Sequence, residues 1–562
     1  MALNDLARRP GSASALRNLA ATPGVTAGRF CAWVVARTLL TPVLFILSSL
    51  FGDGGGESWS HVRQYLVGPA VRATLILMVG TAVLAALLGV PAAWCVSRYD
   101  FPGRRIFSIL LVLPLAIPPY LAAYASTDAR EAAIPVLIAI RENYGVEAYL
   151  RAEVIHRYAW LILMMAAVLA PYVFLSCRAV LAGQGRKLGE AARLLGSSPW
   201  RTFRTIHLPL LRPALVAGLF LVTMEVLSDY GAAKHLGINT LTVTIFRTWF
   251  GLDELKTATY LSGWVLTGVF VLLLLERWQR GRARFEDTPS DQPLMRPRLR
   301  GTLACLVACA LPVVLGLLFP VLTFLDWQGT ATSAVSISAL GPETRHTLTI
   351  GLIATAACLA IALLLLATAR FSQKRSDSAL SATVFTAGYA CPGTVMAVGV
   401  LGVAAGLRQL FPEGSWLSPL LLSGSLLWLA FALTARYLTV AGQVLGAGFA
   451  AIPIGFDEAA RTLGRRVSAI FATIHLPLLR APALGALVLV FVDVSKELPL
   501  TLLLRPFDFE TLGTTAFSSV NEGRILECAG PALLLIALNC AGLLLVELLG
   551  WTRTRLRGKA TV

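Results

Sequence analysis

Apolar residues run through this chain in long, unbroken stretches separated by short polar ones. Twelve such stretches stand out, roughly at 30–51, 71–97, 106–125, 158–178, 213–230, 258–276, 301–325, 345–368, 381–407, 417–436, 481–503 and 528–550. A helix crossing a bilayer needs about 20 consecutive apolar residues, whereas a barrel strand alternates apolar and polar over about ten. Inside lipid every backbone N–H and C=O must be paired within the protein. The pattern therefore predicts an all-α, polytopic membrane protein with about 12 transmembrane helices. Segment 126–157 is different, because it mixes Ile134-Pro135-Val136-Leu137-Ile138 with charged residues. It reads as an external amphipathic excursion and not as a further span.

Composition agrees. Hydrophobic residues make up 56% of the 562 and charged ones only 14%, with a mean hydropathy of +0.71. A soluble domain carries about 25% charge, so a water-soluble core of this size is excluded, as is a disordered chain. The net charge of +17 then fixes orientation. Lys and Arg gather at 178–212, at 277–300 and in the tail (Arg553, Arg555, Arg557, Lys559). Cytoplasmic loops are the basic ones. Twelve spans with the N-terminus inside put all three clusters in the cytoplasm, and a span within 126–157 would put them outside. The charge thus orients the chain and predicts no nucleic-acid partner. The run at 30–51 is longer than a signal-peptide core and reads as a retained anchor.

The nine cysteines include no C-x-x-C pair, and the six histidines form no H-x-x-x-H or H-E-x-x-H pattern. Cys305 and Cys309 share a helix face and read as small apolar packing. No metal site is predicted.

An internal repeat carries more information. Residues 206–212 read Ile-His-Leu-Pro-Leu-Leu-Arg, and 474–480 read the same, an offset of 268 (474 against 206). The offset holds upstream for Glu190-Ala191-Ala192-Arg193 against Glu458-Ala459-Ala460-Arg461, and for Gly196 against Gly464. It holds downstream for Glu225 against Asp493 and Asp229 against Glu497. The chain is two homologous halves of six spans each. An even number of spans returns the chain to its starting side, so the repeat is parallel. The predicted organisation is a cytoplasmic N-terminal segment (1–29), a first transmembrane domain (30–278) with the repeated loop at 186–212, and a cytoplasmic linker (279–299). A second transmembrane domain (300–551) with the loop at 454–480 and a basic cytoplasmic tail (552–562) follow.

The loops themselves are patterned. Gly196 is a candidate left-handed cap ending a first helix. Ser198-Pro199 starts a second, with Ser as N-cap and Pro in the first turn. The mate, Arg465-Arg466-Val467-Ser468, lacks that Pro, which predicts a looser bend. Leu208-Pro209 and Leu476-Pro477 are expected to turn the chain back into the membrane.

Glu-Ala-Ala, Gly six residues after the Glu, Ile sixteen after it and Leu-Pro at eighteen and nineteen resemble the EAA loop of permeases in binding-protein-dependent ABC importers. Both copies match: Glu190, Ala191, Ala192, Gly196, Ile206, Leu208 and Pro209, and Glu458, Ala459, Ala460, Gly464, Ile474, Leu476 and Pro477. The resemblance implies a type I importer permease with both units fused in one chain. It implies that each loop seats in a separate ATPase subunit, that the ATPase is a homodimer on the cytoplasmic side, and that an external (periplasmic) binding protein delivers the substrate. It also implies residence in the bacterial inner membrane, with both termini cytoplasmic. No G-x-x-x-x-G-K-[ST] occurs, since Gly558-Lys559 is followed by Ala560. No cofactor is therefore expected on this chain, and ATP is expected to be used by the partner.

Fused permeases of this kind resemble the ferric-iron and thiamine importers. Segment 225–231 (Glu-Val-Leu-Ser-Asp-Tyr-Gly) with 244–251, and segment 493–499 (Asp-Val-Ser-Lys-Glu-Leu-Pro) with 504–507, are similar to ferric-iron permeases. Independently, Glu225 and Asp229 are four residues apart, as are Asp493 and Glu497, so each pair is expected on one helix face. Ionisable groups in spans usually face a cavity or a partner. One reading is that the four carboxylates line a translocation path for a multivalent cation. The other is structural, with Lys496 neutralising Asp493 and Glu497, and Arg247 serving the first half. A secondary carrier driven by an ion gradient would not need the paired loops, and an enzyme would need a catalytic constellation that the chain lacks.

Overall fold

The structure is a computed structural model and describes residues 23–52, 55–182, 192, 194–280, 294–330, 337–372, 374–410 and 425–559. Glu190 and Ala191 of the first loop lie outside the described residues, as do 1–22, 281–293 of the linker, 417–424 of the tenth predicted span and 560–562. Among the described residues the chain is helical throughout, with one isolated bridge between Tyr99 and Met295. Ten helices are long and apolar enough to cross a membrane, and two bent pairs bring the number to twelve.

The helices that position the site are few. In the first half they are α1 (Pro23–Ser49), α2 (Gly68–Arg98), α3 (Pro119–Ala125), α4 (Ile134–Ala182), α5 (Leu208–Ser228) and α6 (Gly231–His235). In the second they are α7 (Leu299–Val313), α8 (Phe319–Thr330), α9 (Gly341–Ser372), α10 (Arg375–Ala390), α11 (Gly393–Leu410), α12 (Leu426–Ala450), α13 (Ile454–Thr462), α14 (Arg480–Ser495), α15 (Pro499–Leu504) and α16 (Ala529–Lys559).

Several predicted spans are broken. The span at 106–125 bends by 92° between Ala116 and Pro119. Ile117 and Pro118 each precede a proline, which drives the backbone out of the helical region, and both are extended (ψ 117° and 141°). Cys391, ahead of Pro392, is extended for the same reason (ψ 112°) and divides the span at 381–407 into α10 and α11. The span at 481–503 breaks between Ser495 and Pro499. The tenth span is described from Leu426, and its helix runs about four turns beyond the predicted end at 436, to Ala450. Segment 126–157 is no additional span. It is a helical extension of the fourth, continuous with α4 and bent at Gly145 (φ 85°).

The sequence gives no sign of how the halves interlock. The first span of each half packs against the other half. On α1, Arg29 pairs with Asp377 of α10 at 2.6 Å, and Trp33 Nε1 donates to the same carboxylate at 3.0 Å. Burial pushes the Asp377 carboxyl up, but these donors outweigh it and hold it below the usual range. Gly399 of α11 lets Pro42 and Ile46 of α1 approach so closely that a Cβ there would stand 2.8 Å from the Pro42 carbonyl. Small residues at helix crossings are how membrane helices gain contact when lipid removes the hydrophobic drive. In return, Gly316, between α7 and α8, lies against Ala167 of α4, and Trp327 of α8 donates to Asp128 at 2.6 Å. Each of the two larger buried cores therefore contains side chains from both halves.

Candidate functional site

The two repeated loops fold alike where both are described. Gly196 and Gly464 take the left-handed conformation (φ 82° and 75°), as predicted for Gly196. Ser197 N donates to Ala192 O at 3.0 Å, and its mate Arg465 N to Ala460 O at 3.1 Å, so the same cap closes both first helices. Ser198 Oγ accepts from Arg201 N at 3.3 Å at the start of the second helical turn. Its mate at Val467–Ile470 starts in the same register without a side-chain cap.

The Leu-Pro pairs do not turn the chain. Both lie within helical runs, just after π-helical segments Phe203–His207 and Phe471–His475. Proline lacks the N–H for an α bond and crowds the preceding turn, and the wider π turn accommodates that loss. The bend comes later, and only in the second half, where the helices ending at Leu478 and starting at Arg480 meet at 69°.

Glu458 and Ala459 are exposed, whereas Ala460 is buried with Phe371 and Ile470, and Ile474 packs on the same cluster. Leu195 and Leu463, mates at the same offset, are 89% and 81% exposed. The sequence reading missed them, although their identity at the repeat offset was the available signal. Two leucines standing in solvent at equivalent places form unpartnered apolar surface.

Each loop is tied to the span behind it, by different chemistry. In the second half Asp457 accepts from Arg370 Nε at 2.7 Å and meets His475 Nε2 at 2.7 Å. Arg370 also donates to the Phe449 and Ile452 carbonyls. Burial pushes the Asp457 carboxyl up, but the bonds from His475 and Arg370 outweigh it and hold it below the usual carboxylate range. In the first half Arg98 Nη2 stands 2.6 Å from His207 Nε2 and its guanidinium lies over Trp94. Gly189 occupies the Asp457 position in the repeat. The inter-half linker reaches this corner: Asp100 N donates to Met295 O, and Met295 N to Arg98 O.

The second feature lies where the broken spans converge. Gly231 at the start of α6 is hemmed in by Leu498 and Tyr120, so a Cβ there would stand 2.7 Å and 2.8 Å from their side chains. A cavity of about 40 Å³ lies beside them, bordered by Glu225, Asp229, Arg436, Lys496 and Glu497. One water needs roughly 10–15 Å³ of such space, so the cavity has room for only a few waters.

The predicted helix-face pairing of the carboxylates does not hold. Asp229 lies beyond the end of α5, in extended conformation, and accepts from Ala233 N at 3.0 Å and Ala232 N at 3.5 Å, capping α6. Glu497 lies beyond α14 and accepts from Leu500 N of α15 at 3.3 Å. Short helices starting inside the membrane expose N–H groups that need an acceptor, and these two acids supply it. Glu225 and Asp493 do stay on their helices. Lys496 pairs with Asp493 at 2.7 Å, but Glu497 is held by Tyr437 and by Arg436, whose Nε is 3.6 Å away. Arg247 is exposed and forms no ion pair with these acids among the described residues. Glu225 takes a single long bond from Tyr172, at 3.5 Å. Arg436 and Tyr437 were not singled out from sequence, because a lone Arg within an apolar run gives no hint of its partner. Among the described residues no group of three or more His, Cys, Asp or Glu side chains is placed to hold a metal ion.

Residues 85–280 match the profile of a family described as the binding-protein-dependent transport system inner membrane component. The chain is 25% identical over 522 residues to the Fe(3+)-transport system permease protein FbpB 2 of Haemophilus influenzae, covering 90% of this chain and 94% of that one. It is 30% identical over 207 residues to the sulfate transport system permease protein CysT of Escherichia coli, covering 36% of this chain and 72% of that one. It is also 30% identical over 249 residues to the probable sulfate transport system permease protein cysT of Chlorokybus atmophyticus, covering 42% and 82%. These relatives are transport permeases, not enzymes. With twelve helical spans, two copies of one loop and a relative 30% identical over most of its length, this chain belongs to the family of binding-protein-dependent transport system inner membrane components.

Proposed function

We propose that the chain forms the translocation path for ferric iron handed over by an external, periplasmic binding protein, and that a separate homodimeric ATPase drives it from the cytoplasmic side. The carrying observation is the polar cavity bordered by Glu225 and Asp229 from one half and Glu497 from the other. Carboxylate oxygens suit a hard, multivalent cation. The likeness to a Fe(3+) permease over 90% of the chain supports the same cargo. A cargo site in a path must also release, so tight binding belongs to the binding protein.

The coupling surfaces are the loops at 186–212 and 454–480. Glu190, Ala191, Ala192 and Gly196, with Ile206, Leu208 and Pro209, form one; Glu458, Ala459, Ala460 and Gly464, with Ile474, Leu476 and Pro477, form the other. Exposed Leu195 and Leu463 supply the apolar centre of each contact. ATP is used by the partner and not by this chain. Closure of the ATPase moves both loops, and the transmembrane domains at 30–278 and 300–551 rock about their interface. The basic clusters support cytoplasmic termini, linker (279–299) and tail (552–562).

An oxyanion is the alternative cargo, favoured by the sulfate relatives and by Arg436 and Lys496 at the cavity. The test is uptake of labelled ferric iron, sulfate and thiamine in cells with and without this gene, alongside Glu190→Ala/Glu458→Ala. Loss of iron uptake alone, in both the deletion and the double variant, is the expected result. Loss of sulfate or thiamine uptake in place of iron overturns the cargo. Normal transport by the double variant overturns the coupling surfaces.

A further inference from the structure

The two halves do not contribute charge equally to the cavity. The second half neutralises its own acids, with Lys496 on Asp493 and Arg436 on Glu497. The first half has Ser228 at the Lys496 position and Val168 at the Arg436 position of the repeat. Glu225 therefore faces the cavity without a cation from its own half.

Arg436 is 8% exposed and joins three elements. It sits on α12, its Nη1 donates to the Cys391 carbonyl at the α10–α11 break at 3.2 Å, and its Nε faces Glu497 between α14 and α15. The chain makes room for it. Gly393, the first residue of α11, touches Glu497, and a Cβ there would stand 3.0 Å from Arg436 Nη1. The guanidinium also lies over the Tyr437 ring, 5.5 Å from its centroid, but its carboxylate contact at 3.6 Å is longer than the about 2.7–2.9 Å of close charge-assisted pairs. It also borders the same small cavity as Glu225.

We infer that Arg436 is a tethered counter-ion that occupies the cation position of the closed path and must withdraw before a cargo cation can face Glu225. The inference rests on the reading of this cavity as the path. With Arg436 in place, the cavity that Glu225 and Glu497 border already holds a positive charge, which opposes entry of a small cation. Opening carries α12 away from α5, and the cargo replaces the guanidinium. The device specifies the charge sign of the cargo: a cation can replace Arg436, whereas an anion would need it to stay.

The test uses the full transporter with its ATPase and binding protein in proteoliposomes. The readout is passive rubidium leak without ATP, which does not depend on the identity of the cargo. Arg436→Gln is expected to raise the leak about tenfold, equivalent to about 1.4 kcal/mol of lost closure. Arg436→Lys is expected to keep it low. The double variant Arg436→Gln/Glu497→Gln separates the inference from a plain ion pair. A counter-ion to Glu225 leaves the double variant leaky, whereas a structural pair lets it seal. A sealed Arg436→Gln, or a sealed double variant, overturns the inference. Failed iron uptake with the expected leak pattern would overturn only the cargo.

Discussion

The seven residues Ile-His-Leu-Pro-Leu-Leu-Arg occur in both halves, but the two copies are anchored differently. Behind the second loop, Arg370, Asp457 and His475 form a buried, charge-assisted cluster. Behind the first, Arg98 faces His207, and the repeat has Gly189 at the sequence position of Asp457. Backbone bonds from Met295 of the linker brace that corner instead. The same asymmetry recurs at the cavity, where the second half carries Lys496 and Arg436 and the first carries neither at the matching positions. Duplication has kept the repeated loop, and the supports beneath it have diverged. One half is stiffened by its own ion pairs, whereas the other relies on contacts from outside itself.

The largest break in this comparison should come from Asp457→Ala. It leaves Arg370 and His475 buried without the acid they share, and losing one partner of a buried pair costs about 3–5 kcal/mol. The matched change Gly189→Ala should stay within about 0.5 kcal/mol. Thermal melting of the purified transporter checks both, and equal losses would mean that the loops are anchored alike. The pH dependence has a definite sign. Asp457 is depressed below its ordinary value of 3.8, so the stability it adds is present above that value and is lost as pH falls through its folded pKa. Hydrogen-exchange protection of 454–462 should therefore hold constant from about pH 8 to about pH 5 after correction for intrinsic rates.

A smaller effect is expected at the break where the second half packs glycine. Gly393→Ala pushes a methyl group into the Arg436–Glu497 contact, and overpacking of this kind costs about 1–3 kcal/mol. Shortening the acid in Gly393→Ala/Glu497→Asp should recover part of the loss in melting temperature. The first half has Pro119 at the start of its corresponding helix, so the crowding has no counterpart there. A double variant as unstable as the single one would place the strain elsewhere.

The sequence made some of this architecture legible and hid the rest for physical reasons. Spans were visible because lipid demands long apolar helices, and the loops because the repeat preserved them residue for residue. Gly196 was readable as a left-handed cap because glycine alone takes that conformation without penalty. The four carboxylates were found as well, but not their geometry. Asp229 and Glu497 left their helices to cap the next ones, a choice set by the breaks at Tyr230 and Leu498. The exchange of first spans was hidden, since Arg29 and Asp377 are 348 residues apart and no local period links them. Arg436 was hidden for the same reason.

The finest test compares the mates Glu225 and Asp493. Asp493→Asn leaves Lys496, 10% exposed, without its carboxylate, so it should cost stability of about 1–3 kcal/mol. Glu225→Gln removes a charge that has no ion pair among the described residues and keeps an acceptor for Tyr172. Its effect on melting should be smaller than that of Asp493→Asn, because no such close ion pair is broken. If Glu225 meets the cargo, uptake should nevertheless fall several-fold, because the substitution removes attraction while leaving the packing intact. Asp229→Asn extends the argument: Asn caps a helix about as well as Asp, so the α6 cap survives while the charge is lost. A drop in uptake with unchanged melting in both variants assigns the acids of the first half to the path. Unchanged uptake in both would reduce all four carboxylates to caps and ion pairs, and the asymmetry of the halves would then concern stability alone.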